Sequence, residues 1–589
     1  MLLVCLLLLC LGYSRAQEPR RDVIVVTGVY EPIPLEEADR AVISFPVREL
    51  ALLANSLTDF LRLDPALDLR SRAPDGIQSD LSIRGGTFGQ TLILLNGMRL
   101  NDAQSGHHNM DIPAPLESVS QVEVLHGAGS TFYGSDAAGG VVNVITEPPR
   151  YSEFRLRTAV GNFGVNQQRG SVSGVAARLT EQLTFSRDFS SGFAPNRDYR
   201  NFSLGSSTGI LSALGPTRVV LALSDRPFGA DRFYGNFNSW ERTKTWFGSV
   251  SQNLGARTEA AFAFRRHTDL FVLYRDRPQV FTNRHAVESY QASLRRHDRI
   301  AASTKLHYGL EAFRENIQSS NLGRHDRARG AGYLAVDARA VRRFFFSAGL
   351  RQEVYGRRHS ELSPSVSAGA WLSSRVKARA GVSHAFRLPS FTDLYYHDPA
   401  NLGSPDLRPE RAWSYEAGLD WNSGGRLRAD ATVFHRREED VIDYVRGSPA
   451  GIWRAANFQR LRFTGIEISA GARIRKSHRV DLRYSALRGV HELPSGIESK
   501  YVFNYPAHSA VASWEATLWG GVLARSRLGV LQRIQRPPYA LWDVYLASAR
   551  TRLHPFLQLT NLSSAAYEEV PGVRMPGRGI LFGVELRIR

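Results

Sequence analysis

Residues 466 to 475 read Ile466-Glu-Ile-Ser-Ala-Gly-Ala-Arg-Ile-Arg475, and an apolar side chain occupies every second position. A period of two predicts a β-strand with one apolar and one polar face. The same alternation recurs at residues 510–518 and 258–265, and it continues in blocks of about ten residues from position 151 to the end. A soluble β-sandwich would give similar blocks. The repetition, without a convincing amphipathic helix, is what predicts one large all-β body.

The overall composition excludes several classes of protein. With 43% hydrophobic and 22% charged residues, the chain is not disordered. No apolar run of about 18 residues follows the first dozen positions, which excludes a bundle of membrane-spanning helices. The net charge of +18 would suit a nucleic-acid-binding protein. The start of the chain argues against that function, and no nucleic acid is expected as a partner.

The first residues predict export from the cytoplasm. They form an apolar segment too short to span a bilayer, and the small residues Ser14 and Ala16 stand at −3 and −1 of a cleavage site. We therefore expect residues 1–16 to be a signal peptide; a buried N-terminal helix and a lipoprotein signal at Cys10 are the alternatives. Both Cys5 and Cys10 lie inside this segment. The mature chain is therefore expected to contain neither disulfides nor Cys-based zinc sites.

An exported all-β chain with this charge fits a membrane barrel. In lipid every backbone N–H and C=O group must be paired within the protein, and a closed barrel is the only sheet that pairs them all. Charged side chains then face the lumen, and apolar side chains face lipid. Strands of about 11 residues predict about 22 antiparallel strands across residues 151–589, with about nine residues per connection. Two or three soluble β domains are the alternative.

Residues 31–150 differ in pattern and predict one compact α/β domain. A stripe of leucines predicts a helix from Val47 to Leu61. Asn96-Gly97, a pair that tolerates positive φ, predicts the turn of a hairpin. The predicted strands are Thr91–Leu95 and Met98–Leu100 in that hairpin, followed by Val122–Leu125 and Gly140–Thr146. A barrel of about 22 strands has a lumen wide enough to hold such a domain as a plug.

Short motifs along the mature chain resemble those of the TonB-dependent outer-membrane receptors. Before residue 151 they are Asp22-Val-Ile-Val-Val-Thr-Gly28, Ile83-Arg-Gly85, Leu94-Leu-Asn-Gly97, Val122-Glu-Val-Leu125 and Tyr133-Gly-Ser-Asp136. In the barrel they are Phe386-Arg-Leu-Pro389, Pro405-Asp-Leu-Arg-Pro-Glu410, Thr560-Asn-Leu562 and Pro576-Gly-Arg578. The resemblance implies a coupling segment within residues 17–30, a plug domain at 31–150 and a receptor barrel at 151–589. His126 and Ala128 depart from the family's usual Arg and Pro.

The resemblance implies energy-dependent transport in the bacterial outer membrane. The residues that match the family's coupling segment, the TonB box, are Asp22, Val23, Ile24, Val25, Val26 and Thr27. A β-prone segment of this kind can add to the sheet edge of a partner, and the implied partner is TonB with its inner-membrane energising complex. We expect a monomer in contact with outer-membrane lipid and lipopolysaccharide. No catalytic arrangement is visible, so the expected function is import of a scarce nutrient chelate, such as a ferric siderophore or cobalamin, rather than an enzyme reaction.

A polar segment after the hairpin is the best candidate for contact with a small-molecule metal chelate. The candidate residues are Arg99, Asn101, Gln104, His107, His108 and Asn109. His107 and His108 are adjacent and would point to opposite faces of a strand, so we do not expect both to bind one metal. A hydrogen-bonded loop anchor is the alternative for this segment. Neither a metal site nor a cofactor of the protein itself is predicted, although the ligand can bring iron or cobalt.

Three other functions remain open. Haem receptors of the family have a histidine between a Phe-Arg-x-Pro box and a second box. Here His397 lies between residues 386–389 and 403–407, with Ser404 in place of the second box's Asn, which makes His397 a candidate axial haem ligand. A passive porin or adhesin would need neither plug nor coupling segment. A signalling receptor would have a further domain before the coupling segment, where only about five residues are expected after signal cleavage.

Overall fold

The structure is a computed structural model that describes residues 23–341, 343–356, 359–475, 477–491 and 496–589. The predicted signal peptide with Cys5 and Cys10, and also Asp22, lie outside the described residues. Within these ranges no helix combines the length and the apolar character that a membrane crossing requires. The chain forms an α/β domain in residues 24–145 and a closed β-barrel that begins at Glu153.

The α/β domain is built from short strands, α-helices and 3₁₀ turns. Its strands are β1 (Ile24–Val25), β2 (Ile33–Pro34), β3 (Val42–Phe45), β4 (Leu67–Ser71), β5 (Ser79–Ile83), β6 (Thr91–Leu95), β7 (Met98–Arg99), β8 (Gln121–His126) and β9 (Gly140–Ile145). Its α-helices are α1 (Val47–Leu50), α2 (Leu57–Leu61) and α3 (Ser130–Tyr133). Its 3₁₀ turns are Leu35–Glu37, Ala51–Leu53, Pro74–Gly76, Phe88–Gln90, Gly106–His108 and Leu116–Ser118.

The central sheet of this domain has the order β3-β8-β9-β6-β7, with β6 and β9 parallel. The predicted hairpin is confirmed, because β6 pairs with β7 across Asn96 and Gly97, whose φ values are 53° and 81°. Asn and Gly tolerate this left-handed conformation, which lets the chain turn in two residues. The strands predicted at 122–125 and 140–146 are present as β8 and β9. Their valines pack with α2 in the buried core.

The prediction of one continuous helix over residues 47–61 is wrong. The chain forms α1 and α2 with a break between them, and Ala54 is extended with φ −148° and ψ 156°. The Asp59 carboxylate accepts hydrogen bonds from the backbone N–H groups of Asn55 (2.7 Å) and Ser56 (3.1 Å). This capping box begins a new helix, so the leucine stripe continues although its backbone is interrupted.

Beyond residue 150 the described chain is almost entirely β-strand, with one short α-helix, α4 (Phe391–Tyr395), and the 3₁₀ turn Trp519–Gly521. The strands are β10 (Glu153–Gly161), β11 (Asn166–Val175), β12 (Leu179–Ser190), β13 (Tyr199–Ser212), β14 (Gly215–Asp231), β15 (Asn238–Leu254), β16 (Thr258–Val272), β17 (Thr282–Ala301), β18 (Thr304–Ser319), β19 (Gly323–Val341), β20 (Phe344–Tyr355), β21 (His359–Trp371), β22 (Val376–Arg387), β23 (Asn401–Leu402), β24 (Glu410–Asn422), β25 (Leu427–Arg446), β26 (Trp453–Arg475), β27 (His478–His491), β28 (Glu498–Ser499), β29 (Pro506–Thr517), β30 (Val522–Arg533), β31 (Tyr539–Ser548), β32 (Leu553–Thr560), β33 (Glu568–Val570), β34 (Val573–Arg574) and β35 (Gly579–Ile588).

The long strands close into a barrel. Within the described residues, 22 antiparallel strands form the wall, and β10 closes it by pairing with β35. The short strands β23, β28, β33 and β34 lie in the connections between wall strands. The predicted barrel of about 22 antiparallel strands is therefore confirmed.

The barrel wall shows the alternation that the sequence predicts. In β26 the side chains of Ile468 and Ile474 are 44% and 64% exposed on the outer face. In β35 Ile580 and Phe582 are exposed, whereas Leu581 between them is buried in the lumen against leucines of the α/β domain. Because the exposed side chains are apolar and belong to a closed sheet, the outer surface matches lipid rather than water.

The two ends of the barrel differ in the length of their connections. At one end, the turn end, strands are joined by short turns such as 213–214 and 302–303. At the opposite end, the loop end, the connections include residues 388–409 and 561–578. Outer-membrane barrels have short periplasmic turns and longer extracellular loops, so the loop end corresponds to the cell exterior.

The α/β domain lies inside the barrel lumen and is called the plug from here on. On one side, Arg525 of β30 donates a hydrogen bond to the carbonyl oxygen of Leu53 (2.9 Å). On the opposite side, Gln291 of β17 accepts one from the backbone N–H of Arg99 (3.0 Å). Contacts on opposite walls mean that the plug spans the lumen rather than hanging from one end.

Candidate functional site at the plug and barrel interface

The described part of the predicted coupling segment, residues 23–27, is attached to the plug. Strand β1 pairs with β2, and the side chain of Val25 is fully buried. The carboxylate of Glu123 accepts hydrogen bonds from the backbone N–H groups of Val26 (3.0 Å) and Thr27 (2.7 Å). Burial raises the pKa of Glu123, and the hydrogen bonds from Thr27 and Val26 oppose that rise. Sequence reasoning missed Glu123, because a Glu alternating with valines is typical of any half-exposed strand.

The same segment keeps an accessible side. Val23, Ile24 and Val26 are 42%, 46% and 37% exposed. A two-residue strand with exposed apolar side chains has few contacts to lose when it pairs with another sheet. The role of these residues in coupling stays a prediction.

The residues that follow place the coupling segment at the turn end of the barrel. Lys305, directly after the turn 302–303, donates hydrogen bonds to the Glu31 carboxylate at 2.5 and 2.7 Å. Lys377, near the start of β22, donates to the carbonyl oxygens of Glu36 and Ala38, both at 2.8 Å. The segment therefore faces the periplasmic side, where a partner from the inner membrane would meet it.

A buried charge cluster attaches the middle of the plug to the barrel wall. Arg84 donates hydrogen bonds to both carboxylate oxygens of Glu467 (2.7 and 2.8 Å) and to Glu416 (2.9 Å). His126 lies 2.7 Å from the Asp64 carboxylate and 3.0 Å from that of Glu467. Burial disfavours the charged imidazole, but the two carboxylates outweigh it and raise the pKa of His126 to about 10. His126 is therefore a cation that links a carboxylate of the plug to a carboxylate of the barrel wall.

Two of the candidate ligand residues form hydrogen bonds within the plug. The Arg99 guanidinium donates to the carbonyl oxygens of Tyr133 and Ser135, both at 2.9 Å, and is buried. The Asn101 side chain accepts from the backbone N–H of Ile93 (2.7 Å) and donates to the carbonyl oxygen of Thr91 (3.0 Å). These contacts match the loop-anchor alternative that the sequence left open.

Gln104 and Asn109 are also buried, and each has a polar partner. Gln104 donates to Asp269 of β16 (2.9 Å), which joins the plug loop to the wall. Asn109 accepts from the backbone N–H of Asp102 (3.0 Å) and donates to the carbonyl oxygen of Phe88 (3.2 Å). The segment is thus packed between plug and wall.

The two adjacent histidines have separate surroundings. Residues 106–108 form a 3₁₀ turn rather than a strand, and the two rings still diverge. His107 stacks on Phe88 with ring centroids 4.3 Å apart, and its Nδ1 lies 2.8 Å from the Asp80 carboxylate. His108 is buried and faces Asp111 and Asp269. The expectation that both would not bind one metal fits this arrangement.

His397 lies apart from the other candidates, on the loop 388–409 at the loop end. Its backbone N–H donates to Asn321 (3.2 Å), and its carbonyl oxygen accepts from the same side chain (2.6 Å). The residue is exposed. Its imidazole is therefore accessible from the extracellular side.

A cavity of about 160 Å³ opens between the plug and the wall at the loop end. Its lining mixes carboxylates, guanidinium groups and aromatic rings from distant parts of the chain, among them Asp59, Arg62, Asp75, Arg197, Tyr199, Arg527, Asp543 and Tyr545. This cavity could not be predicted from the sequence, because only the closure of the barrel brings these residues together.

Comparison with protein-family models identifies both parts of the chain. The model described as TonB dependent receptor-like, beta-barrel matches residues 121–562, which is more than half of the chain. The model described as TonB-dependent Receptor Plug Domain matches residues 34–141.

Individual relatives are distant but cover most of the chain. The chain is 24% identical over 504 residues to the vitamin B12 transporter BtuB of Photobacterium profundum, which spans 80% of each sequence. It is 26% identical over 518 residues to the iron-regulated outer membrane virulence protein of Vibrio cholerae, spanning 78% of this chain and 77% of the relative. Among solved structures, the FrpB iron transporter from Neisseria meningitidis superposes with a TM-score of 0.78 at 15% identity, covering 94% of this chain and 100% of that one. Similarity to that structure supports the fold alone.

Proposed function

The chain belongs to the TonB-dependent receptor family of outer-membrane transporters and receptors, and we propose that it imports a scarce metal chelate by TonB-dependent active transport. The observation that supports this most is the combination of a plug that fills the lumen and a coupling segment exposed at the turn end. A channel for passive diffusion needs neither. The family is not an enzyme family, in line with the expectation from the sequence.

The packing of the lumen is the reason that transport needs energy. The plug contacts opposite walls, and the cavity at the loop end measures only about 160 Å³. Small-molecule sites usually measure about 300–1,000 Å³, so a chelate passes only if part of the plug moves. Moving it means breaking buried ion pairs such as Arg84–Glu467, and each such break costs several kcal/mol. Thermal motion alone would seldom break these ion pairs, which favours an external pull on the plug.

The coupling segment has the properties that such a pull requires. Strand addition joins two chains through several backbone hydrogen bonds that bear load together. Ile24 and Val26 are exposed, and β1 has only β2 as its neighbour in its small sheet. We propose that Asp22 to Thr27 pair with TonB, which the inner-membrane energising complex then pulls.

The proposed cargo is a ferric siderophore or cobalamin. Relatives named as a vitamin B12 transporter and as an iron-regulated outer membrane protein support this class without choosing between its members. The arginine content of the lumen does not decide the question, because buried arginines such as Arg351 and Arg329 are paired with Glu353. The cargo is therefore best identified directly.

The test is uptake in a host that lacks its own receptors for these nutrients. Cells expressing this chain should accumulate one of a panel of radiolabelled ferric siderophores, or labelled cyanocobalamin, when TonB is present. The same cells without TonB should bind that compound at the surface without accumulating it. Mass spectrometry and visible absorption of the purified protein narrow the panel first, since a bound chelate can co-purify.

Haem is the second candidate cargo, because His397 is exposed at the loop end. An exposed imidazole there can serve as an axial ligand. Haem titration of the purified protein should then shift the Soret band, and the shift should vanish in His397→Ala. An unchanged Soret band on titration of the wild-type protein would end this proposal.

A further inference from the structure

Two histidines and a carboxylate meet where the plug touches the barrel wall near the loop end. His108 and Asp111 belong to the plug loop after the hairpin, and His267 belongs to β16. Their relative exposures are 5%, 7% and 0%, so the site is buried. One potential ligand atom of each residue lies within 4.8 Å of those of the other two. The chain positions are about 160 apart, so only the fold brings them together.

The distance from His108 to Asp111 fits metal coordination, and the distance from His267 to Asp111 is that of a hydrogen bond, which an ion would replace. His267 Nε2 lies 3.1 Å from Asp111 Oδ2, and His108 Nδ1 lies 3.5 Å from the same oxygen. Ligand atoms about 2.0–2.2 Å from a tetrahedral ion are about 3.3–3.6 Å apart. A charge-assisted hydrogen bond is usually about 2.7–2.9 Å long, so the contact of His108 is long for such a bond.

The outer contacts of these residues match those of metal ligands. His267 Nδ1 lies 2.9 Å from Asp102 Oδ2, and Arg265 lies 2.8 Å from that same carboxylate oxygen. A carboxylate in this place behind the second ring nitrogen is typical of metal-binding histidines, although the hydrogen-bond geometry between His267 and Asp102 is not ideal. Arg226 lies 2.8 Å from Asp111 Oδ1, which leaves Oδ2 for an ion.

The surrounding groups include several buried carboxylates. The carboxylates of Asp102, Asp111, Glu241 and Asp269 face the guanidinium groups of Arg226 and Arg265. Asp269 is 5% exposed, and its Oδ1 has no hydrogen-bond partner among the described residues. A buried carboxylate oxygen without a hydrogen-bond partner is costly unless a cation is close.

We propose that His108, Asp111 and His267 bind a divalent first-row transition-metal ion between the plug and the barrel wall. Two imidazoles and one carboxylate are ligands that Zn²⁺ and Fe²⁺ accept, and a three-residue set leaves a coordination position open. The bound ion links the plug loop to β16. This site differs from the expectation from the sequence, which considered only the adjacent pair His107 and His108.

The experiment measures metal binding to the full-length purified protein in detergent, without TonB or cargo. After removal of metals with a chelator, titration with Zn²⁺ should show one saturable site by calorimetry, and Co²⁺ should give visible absorption bands of a low-symmetry four- or five-coordinate ion. His108→Gln and His267→Gln should each abolish the saturable site. Asp102→Asn should weaken Zn²⁺ binding by about 10–100-fold, as loss of an outer carboxylate typically does.

The matched control is His307→Gln, which replaces an equally buried histidine of the wall that contacts Tyr30 instead. It should bind Zn²⁺ and Co²⁺ like the wild-type protein. Retention of the folded barrel in every variant is checked by its heat-dependent migration in detergent gels. Absence of a saturable site in the wild-type protein would overturn the proposal, as would wild-type binding in both His108→Gln and His267→Gln. Neither result would affect the proposal of TonB-dependent import, because that is measured in cells.

Discussion

The carboxylate of Glu123 accepts a 2.7 Å hydrogen bond from the backbone N–H of Thr27. The bond is buried and joins the end of the coupling segment to the central strand β8 of the plug. The attachment is therefore partly polar, and it can be weakened by changing one side chain without altering the segment that TonB would bind.

Glu123→Ala should release the coupling segment from the plug. Hydrogen bonds to a charged group contribute about 1.5–3 kcal/mol each, so the released population should rise by about tenfold or more. A spin label on Val23→Cys would report the change as greater mobility. Glu147→Ala is the control, because that side chain is 43% exposed and pairs only loosely with Arg150. Equal label mobility in Glu123→Ala and the control would contradict this role of Glu123.

Val25→Pro should abolish uptake while leaving cargo binding at the cell surface intact. Proline removes the backbone N–H of Val25, and strand pairing with TonB depends on such groups. Val25→Ile is the matched control, because it keeps the N–H and the branched side chain. Labelled-chelate uptake in the presence of TonB is the measurement. Wild-type uptake by the proline variant would count against strand addition.

Arg84→Ala should loosen the plug in the barrel. It removes the guanidinium that Glu416 and Glu467 share. Glu416 keeps Arg40 and Glu467 keeps His126, so we expect a cost of about 3 kcal/mol, the low end for breaking a buried pair. The urea concentration at which conductance appears in planar bilayers should therefore fall. Arg257→Ala is the control, because its partner Asp298 is on the surface and an exposed pair contributes little to stability. The same urea threshold in both variants would show that Arg84 does not hold the plug.

The attachment of the plug should weaken as pH rises. The pKa of His126 is raised from 6.5 to about 10 in the folded state. Its contribution is therefore fully present below about 6.5 and is lost as pH increases through about 10. As the pH is raised from about 6.5 to about 10, the urea concentration at which conductance appears should decrease in the wild-type protein. It should decrease less in His126→Gln. Parallel pH profiles for the two proteins would argue against a charged His126.

The sequence was a good guide to elements whose signal is local and repeated. The alternation around Ile468 and Ile474 fixes which side chains face lipid, and the Asn96-Gly97 turn fixes its hairpin. The helix over residues 47–61 was predicted wrongly because the leucine stripe continues through a break. There Asn55 and Ser56 donate to Asp59 and begin a second helix.

The site could be predicted only in part, because its partners are distant in the chain. The segment from Arg99 to Asn109 was predicted as a ligand contact, which stays a prediction, and its packing between plug and wall was not foreseeable. Gln104 meets Asp269, and His108 meets Asp111 close to His267. Pattern reasoning compares near neighbours, so it weighed His107 against His108 and had no means of finding His267.

The central claim is that the plug closes the barrel until TonB pulls it. The most direct measurement is the ion conductance of the purified full-length protein in a planar lipid bilayer without denaturant. We expect no steady current at any applied voltage, and current only when urea unfolds or displaces the plug. A stable open conductance in the native protein would contradict it, because it would mean that the lumen is already open.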